Sequence, residues 1–164
     1  TQEGVQSVVI YLAIYLVMTL GTFACILAMR RSDTMVENIS DLSGLARTRP
    51  ALAVVLSIFM VSLLGFPPFA GFFAKVAVFS AAVNAGLYTL AVIGVLASVI
   101  GAFYYLRIVK VMFFDEPETP FDRQEDLLSR LLVLSTAVLA SPLGFVLAGP
   151  ILSMSKAAAA ALAG

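Results

Sequence analysis

The sequence predicts an all-α integral membrane protein with four transmembrane segments, the second of them a broken helix. Three observations predict it. The chain is 61% hydrophobic and 12% charged, with a mean hydropathy of +1.03, beyond what a soluble domain of 164 residues carries. Its apolar residues fall in runs that meet the length of about 20 residues needed to cross a bilayer as a helix. One of those runs holds a Pro67-Pro68 pair followed by a single cation, Lys75.

The first span is read at 5–29 and contains the only cysteine, Cys25, which is expected to act as a small apolar packing residue. The second run, 51–83, is too long for a straight span: as one helix it would measure roughly 50 Å against a hydrocarbon core of about 30 Å. Pro67 and Pro68 lack amide donors and fall in its middle. Gly65 and Gly71 bracket them and permit unusual backbone torsions. The run therefore reads as two half-helices, 51–65 and 69–83, joined by a short non-helical piece; a single tilted, proline-kinked helix is the alternative. The third span is read at 86–111 and the fourth at 131–154. Residues 1–164 form one membrane domain on this reading, with connecting loops 30–50 and 112–130. The alanine-rich tail 157–164 reads as a frayed helix end. The chain opens on Thr1-Gln2-Glu3 with no basic stretch before the first apolar run. That is expected of a piece of a longer protein or of a split subunit.

Charge placement predicts orientation. Arg30, Arg31, Arg47 and Arg49 lie between the first two spans, and Arg107, Lys110, Arg123 and Arg130 at the end of the third span and in the loop that follows it. The turn Asn84-Ala85-Gly86 carries no charge. Four spans put both basic regions on one side, which the excess of Lys and Arg marks as cytoplasmic. The Asn84 turn and the C-terminus then face the other side, with Lys156 opposing the trend. Asp115, Glu116, Glu118, Asp122, Glu125 and Asp126 read as a solvated face of the second loop.

Composition also excludes. Net charge is zero, so there is no electrostatic case for a nucleic-acid partner; the expected surroundings are the lipid bilayer. With no histidine and one cysteine, the usual ligands of haem, iron–sulfur and zinc sites are lacking, and no redox centre or metal is expected in this chain.

Lys75 is then the leading candidate site. A lone ammonium at membrane depth costs about 2.5–3.5 kcal/mol on insertion scales. Counted back from Asn84 along a helix, Lys75 lies roughly 13–14 Å in, near the bilayer midplane. Broken helices at this depth line cavities or ion paths. The functional reading is a proton-carrying group in a hydrated path, whose proton affinity responds to burial and to neighbouring charge. The structural reading is a strut that pairs with a carbonyl or an acid. No acid of this chain lies deep in a span, so a charged partner is expected from outside it. Around Lys75, Ala70, Ala74, Ala77 and Ala81 form a small-residue ridge suited to close helix contact. Phe72 and Phe79 lie three or four residues away, as packing groups or gates to hydration. Ser62, with Ser57, Thr19 and Thr22, either joins a water chain or bonds its own helix. Tyr11 and Tyr15 share one helix face, and Tyr104 and Tyr105 are expected to be interfacial anchors.

The run Gly65-Phe66-Pro67-Pro68-Phe69-Ala70-Gly71-Phe72-Phe73-Ala74-Lys75 resembles the broken helix of the antiporter-like subunits of proton-pumping NADH:quinone oxidoreductase, respiratory complex I. Asp41-Leu42-Ser43-Gly44-Leu45-Ala46-Arg47 and Tyr104-Tyr105-Leu106-Arg107-Ile108-Val109-Lys110-Val111-Met112-Phe113-Phe114-Asp115-Glu116-Pro117 look like the subunit N branch, as does Val76 after the lysine, where another branch carries an acid. The resemblance implies the last four spans of a fourteen-span fold built on two inverted repeats. Lys75 would be the terminal lysine of a proton path, linked to a central lysine and a glutamate–lysine pair further upstream. It also implies a bacterial inner-membrane location and partners in the upstream part of the same subunit and in other membrane subunits. Flavin, iron–sulfur clusters and quinone would belong to partner subunits. A cation/proton antiporter subunit and a purely structural membrane subunit are the alternatives.

Overall fold

In the computed structural model, residues 2–31, 34–117, 121–122 and 127–147 are described. Two long apolar helices set the scale. Helix α1 runs Gln2–Leu27 and α5 runs Tyr88–Phe114, each about 40 Å at 1.5 Å per residue and so long enough to cross a bilayer. Between them, α3 (Pro50–Leu64) and α4 (Ala70–Asn84) are fifteen residues each. Neither reaches across alone, at about 22 Å; in series they do.

Local chemistry fixes these ends. Pro50 opens α3 at its first position, where its missing N–H is not needed. Gly65 closes α3 in the left-handed region (φ 86°), with its N–H on the Ser62 carbonyl at 2.9 Å and the Phe66 N–H on the Val61 carbonyl at 3.2 Å. That pair of bonds is a Schellman stop, and the positive φ favours glycine. The Pro67–Pro68 peptide is cis, and α4 starts two residues later. At the other end of α4, Ala82 and Val83 carbonyls accept the N–H groups of Leu87 and Gly86 at 2.9 Å each, and the chain turns into α5.

The connection 30–50 is more structured than a plain loop. β1 (Arg30–Arg31) pairs antiparallel with β2 (Thr34–Met35). A 3-10 turn at Ile39–Leu42 and the short helix α2 (Leu45–Thr48) follow. This connection is docked on the second basic region. The Gly44 N–H reaches the Val111 carbonyl at 3.2 Å, the Asp122 N–H reaches the Arg30 carbonyl at 2.8 Å, and Arg49 Nη1 reaches the Asp122 carbonyl at 3.4 Å. The two basic regions therefore lie at the same end of the molecule. At the opposite end, Asn84 Nδ2 donates to Glu3 Oε1 at 2.9 Å, tying the start of α1 to the end of α4.

The fourth apolar segment, expected as one span over 131–154, holds two helices among the described residues. Helix α6 begins earlier, at Leu127, and ends at Ala140; α7 follows at Pro142–Leu147. Pro142 cannot continue the hydrogen-bond ladder of α6. Ser141 instead caps the new start, its Oγ accepting the Leu143 N–H at 3.2 Å. The third segment also runs past its expected bounds, to Phe114. Positions 148–154, Lys156, the tail 157–164, and Glu118, Arg123, Glu125 and Asp126 lie outside the described residues.

Packing is centred on α1, which contacts α3, α4 and α6, while α3 also packs on α5. Cys25 is buried there with Met18, Leu56, Phe59 and Met112. Among the described residues, Phe59 of α3 is the largest fully buried side chain, and it lies against Gly21 of α1, where Thr136 of α6 also converges. Much of α5 presents apolar side chains outward, among them Ile93, Leu96, Ile100 and Phe103, as suits a helix whose surroundings are lipid or other apolar helices.

A Cβ at Gly21 would meet the Phe59 ring and Thr136 Oγ1. Gly21→Val is expected to weaken the α1–α3–α6 packing by about 1–3 kcal/mol through overpacking, seen as a lowered midpoint in a detergent thermal melt. An unchanged midpoint would show that Phe59 moves aside freely.

Candidate functional site

A helix break exposes backbone groups, and in an apolar medium each needs a partner. At the α3 end, the Val61 and Ser62 carbonyls are taken by the Schellman bonds. The Leu64 carbonyl is taken by Lys75, whose Nζ donates to it at 2.9 Å. At the α4 start, the Gly71 N–H donates to Ser62 Oγ at 3.1 Å. Ser62 is fully buried. One serine and one lysine thus stitch the two half-helices across residues 65–69. The lysine charge also sits at the negative end of the α3 dipole, where a cation is favoured.

Two glycines make room for this arrangement. The Lys75 stem passes so close to Gly65 that a Cβ there would lie 2.8 Å from Cδ and 3.3 Å from Nζ. Gly71 is seated on the Ser62 carbonyl, which any Cβ would strike. Gly65, Ser62, Gly71 and Lys75 are therefore one contact group, although they are up to thirteen positions apart, from Ser62 to Lys75. Pro67 and Pro68 stand outside it, exposed at the outer edge of the break.

Lys75 also lines a recess of about 420 Å³ between α1, α4 and α5, shared with Tyr11, Tyr15, Phe79, Ser98 and Tyr105. Phe79 forms part of its wall and rests its ring edge on Gly94 of α5. Phe72 does not line the recess; it packs edge-to-face on Phe73 at 5.5 Å between centroids. Ser57 and Thr22 bond carbonyls of their own helices, at 2.7 and 2.8 Å. Tyr105 departs from the interfacial role expected of it. It is half-buried, packs on the core and faces the recess, whereas its neighbour Tyr104 is 57% exposed. The signal that would have separated the two was on α5 itself: Gly94, Ala97, Ser98, Gly101 and Tyr105 recur at three- and four-residue spacing, so they share one face. Tyr11 and Tyr15, stacked at 5.9 Å, join the same recess from α1.

The break makes unequal demands on its two α4-facing positions. Ser62→Ala removes an acceptor and is expected to cost about 0.5–2 kcal/mol, as for a lost cap. Gly71→Ala drives a methyl group into a backbone carbonyl and is expected to cost more. Thermal melts of the two variants in detergent test the order; equal midpoints would mean that the half-helices slide apart without penalty.

The transmembrane family described as NADH:quinone oxidoreductase/Mrp antiporter matches residues 1–101. NADH-quinone oxidoreductase subunit N of Beijerinckia indica is 61% identical over 135 residues, covering 82% of this chain and 28% of the relative. Subunit N of Methylobacterium nodulans is 51% identical over 162 residues, covering 99% and 33%. Among solved structures, respiratory complex I from Thermus thermophilus with bound aureothin contains a chain that superposes with a TM-score of 0.74 at 33% identity, over 89% of this chain and 34% of that one. The Mrp complex from Dietzia sp. DQ12-45-1b gives 0.75 at 25% identity, over 98% and 38%. The chain thus spans 28–38% of the length of these relatives. With two helices long and apolar enough to cross a bilayer, a stitched helix break and a matching family model over most of its length, the chain is a membrane protein and belongs to the NADH:quinone oxidoreductase/Mrp antiporter transmembrane family.

Proposed function

We propose that this chain is the C-terminal part of a subunit N of NADH:quinone oxidoreductase, and that Lys75 carries protons in it. The observation that carries the proposal is the placing of Lys75, an amine held at a helix break on the wall of a recess lined by four hydroxyl-bearing side chains. The α3 terminus favours a cation at Nζ. A change in a nearby charge shifts the balance between the protonated and the neutral amine. In this mechanism quinone reduction elsewhere in the complex alters the charge of a neighbouring buried group. Lys75 then takes a proton through water in the recess and gives it up when that charge reverts. The bond to the Leu64 carbonyl holds Nζ in place through the cycle, because a neutral amine still has N–H groups to donate.

The remaining expectations belong to the same reading. The fourteen-span fold, with this chain as its last four spans, is what kinship with subunit N implies, and a match to about a third of the relatives' length is in keeping with a part of such a fold. The end holding β1, β2, α2 and the basic residues Arg47, Arg107 and Lys110 is cytoplasmic, and the Asn84 turn faces away. The surroundings are the bilayer of a bacterial inner membrane, the rest of the subunit and other membrane subunits. Flavin, iron–sulfur clusters and quinone belong to partner subunits on this reading; for the iron–sulfur clusters, one buried cysteine and no histidine in this chain support it. The similarity to the Mrp complex favours a second reading, a cation/proton antiporter subunit. The higher identity to subunit N weighs against it.

Lys75→Ala in the full-length subunit is expected to leave the complex assembled on a native gel while NADH-driven proton uptake into vesicles falls. Lys75→Arg is expected to impair pumping too, because a guanidinium does not release its proton. Full pumping by an assembled Lys75→Ala complex would reduce the lysine to a strut across the break.

A further inference from the structure

Lys75 shares its recess with three phenols and a serine, and none of these four hydroxyls makes a hydrogen bond to another described residue. That sets them apart from the hydroxyls of Thr22, Ser57 and Thr136, each committed to a carbonyl of its own helix. The recess exists because one face of α5 is nearly bare there. Gly94, Ala97, Ser98 and Gly101 supply its wall, and Tyr105 closes the row toward the end where α5 meets α2. From Gly94 to Tyr105 the helix rises about 16 Å, and a space of this size and polarity suits several waters. The row therefore extends from beside Lys75 to within two turns of Val111, whose carbonyl holds Gly44 of the basic connection.

We propose that Tyr105 is a proton-transfer partner of Lys75, its hydroxyl relaying protons between the water around Lys75 and the end of the molecule that carries the basic connections. The proposal rests on the reading of Lys75 as a proton carrier and adds a residue and a direction to it. A phenol is both donor and acceptor, so the step balances without a phenolate. A proton leaves Nζ for a water, and that water passes a proton to a lone pair of the Tyr105 oxygen. The original hydroxyl proton departs to the next water, and the phenol ends neutral. The reverse sequence loads Lys75. Tyr11, Tyr15 and Ser98 line the same water space from two sides. Tyr104, one position away, faces outward and has no part in it.

The test uses the full-length subunit in the assembled complex, in vesicles energised with NADH. It compares Tyr105→Phe, Tyr104→Phe, Lys75→Ala and the double variant Lys75→Ala/Tyr105→Phe. Tyr105→Phe keeps the ring and removes only the hydroxyl. It is expected to assemble, to slow proton uptake several-fold and to change the solvent deuterium isotope effect on uptake, which a packing defect would leave alone. Tyr104→Phe is expected to match the parent. The double variant is expected to pump no worse than Lys75→Ala, as for two groups on one path. If Lys75→Ala pumps normally, the reading of the lysine fails and this proposal with it. If Lys75→Ala is impaired while Tyr105→Phe is normal in rate and isotope effect, the lysine reading stands and the relay is overturned. Failure of Tyr105→Phe to assemble would make the hydroxyl structural and overturn the relay as well.

Discussion

The structure depends on how a chain can interrupt a helix inside an apolar medium. Lipid offers no hydrogen bonds, so carbonyls and amides freed at a break must be met from within the protein. Here the demand is met by a Schellman stop at Gly65, by Ser62 on the Gly71 amide, and by Lys75 on the Leu64 carbonyl. The last of these brings an amine to the break itself. The break and the cation are thus two sides of one constraint: the helix end favours a cation, and the freed carbonyl gives the amine an acceptor.

Much of this was legible in the residues. Long apolar runs and the scarcity of charge give the helical membrane class directly, because few other arrangements satisfy that composition. Proline chemistry forbids an intact ladder through positions 67 and 68, and the helices stop at Leu64 and resume at Ala70. The matching residues around the break and in the connection Asp41–Arg47 lead to the same family that the comparisons give.

What was not legible was mostly contact between elements distant in sequence. Nothing near Lys75 announces that its acceptor is a carbonyl eleven positions earlier, because that depends on how sharply residues 65–69 fold back. Tyr105 looked like an anchor because it stands beside Tyr104 near the end of a span. The small-residue face of α5 that Tyr105 shares set it apart, and the neighbours across α1 and α4 make that face the inward one. The interruption at Ser141-Pro142 shows the same limit. A serine before a proline occurs in continuous membrane helices and at helix starts alike, and hydropathy does not tell them apart.

The absence of a side chain at Gly65 has a consequence beyond its backbone angle. The lysine stem fills the volume that a Cβ would occupy, so the handedness of one residue sets the lane along which another residue's arm extends. Positions 65 and 75 are therefore not free to drift separately. A larger residue at 65 would shift where the amine comes to rest without touching its charge, and an organism adapting the reach of this lysine has the backbone ten positions upstream as its adjusting screw.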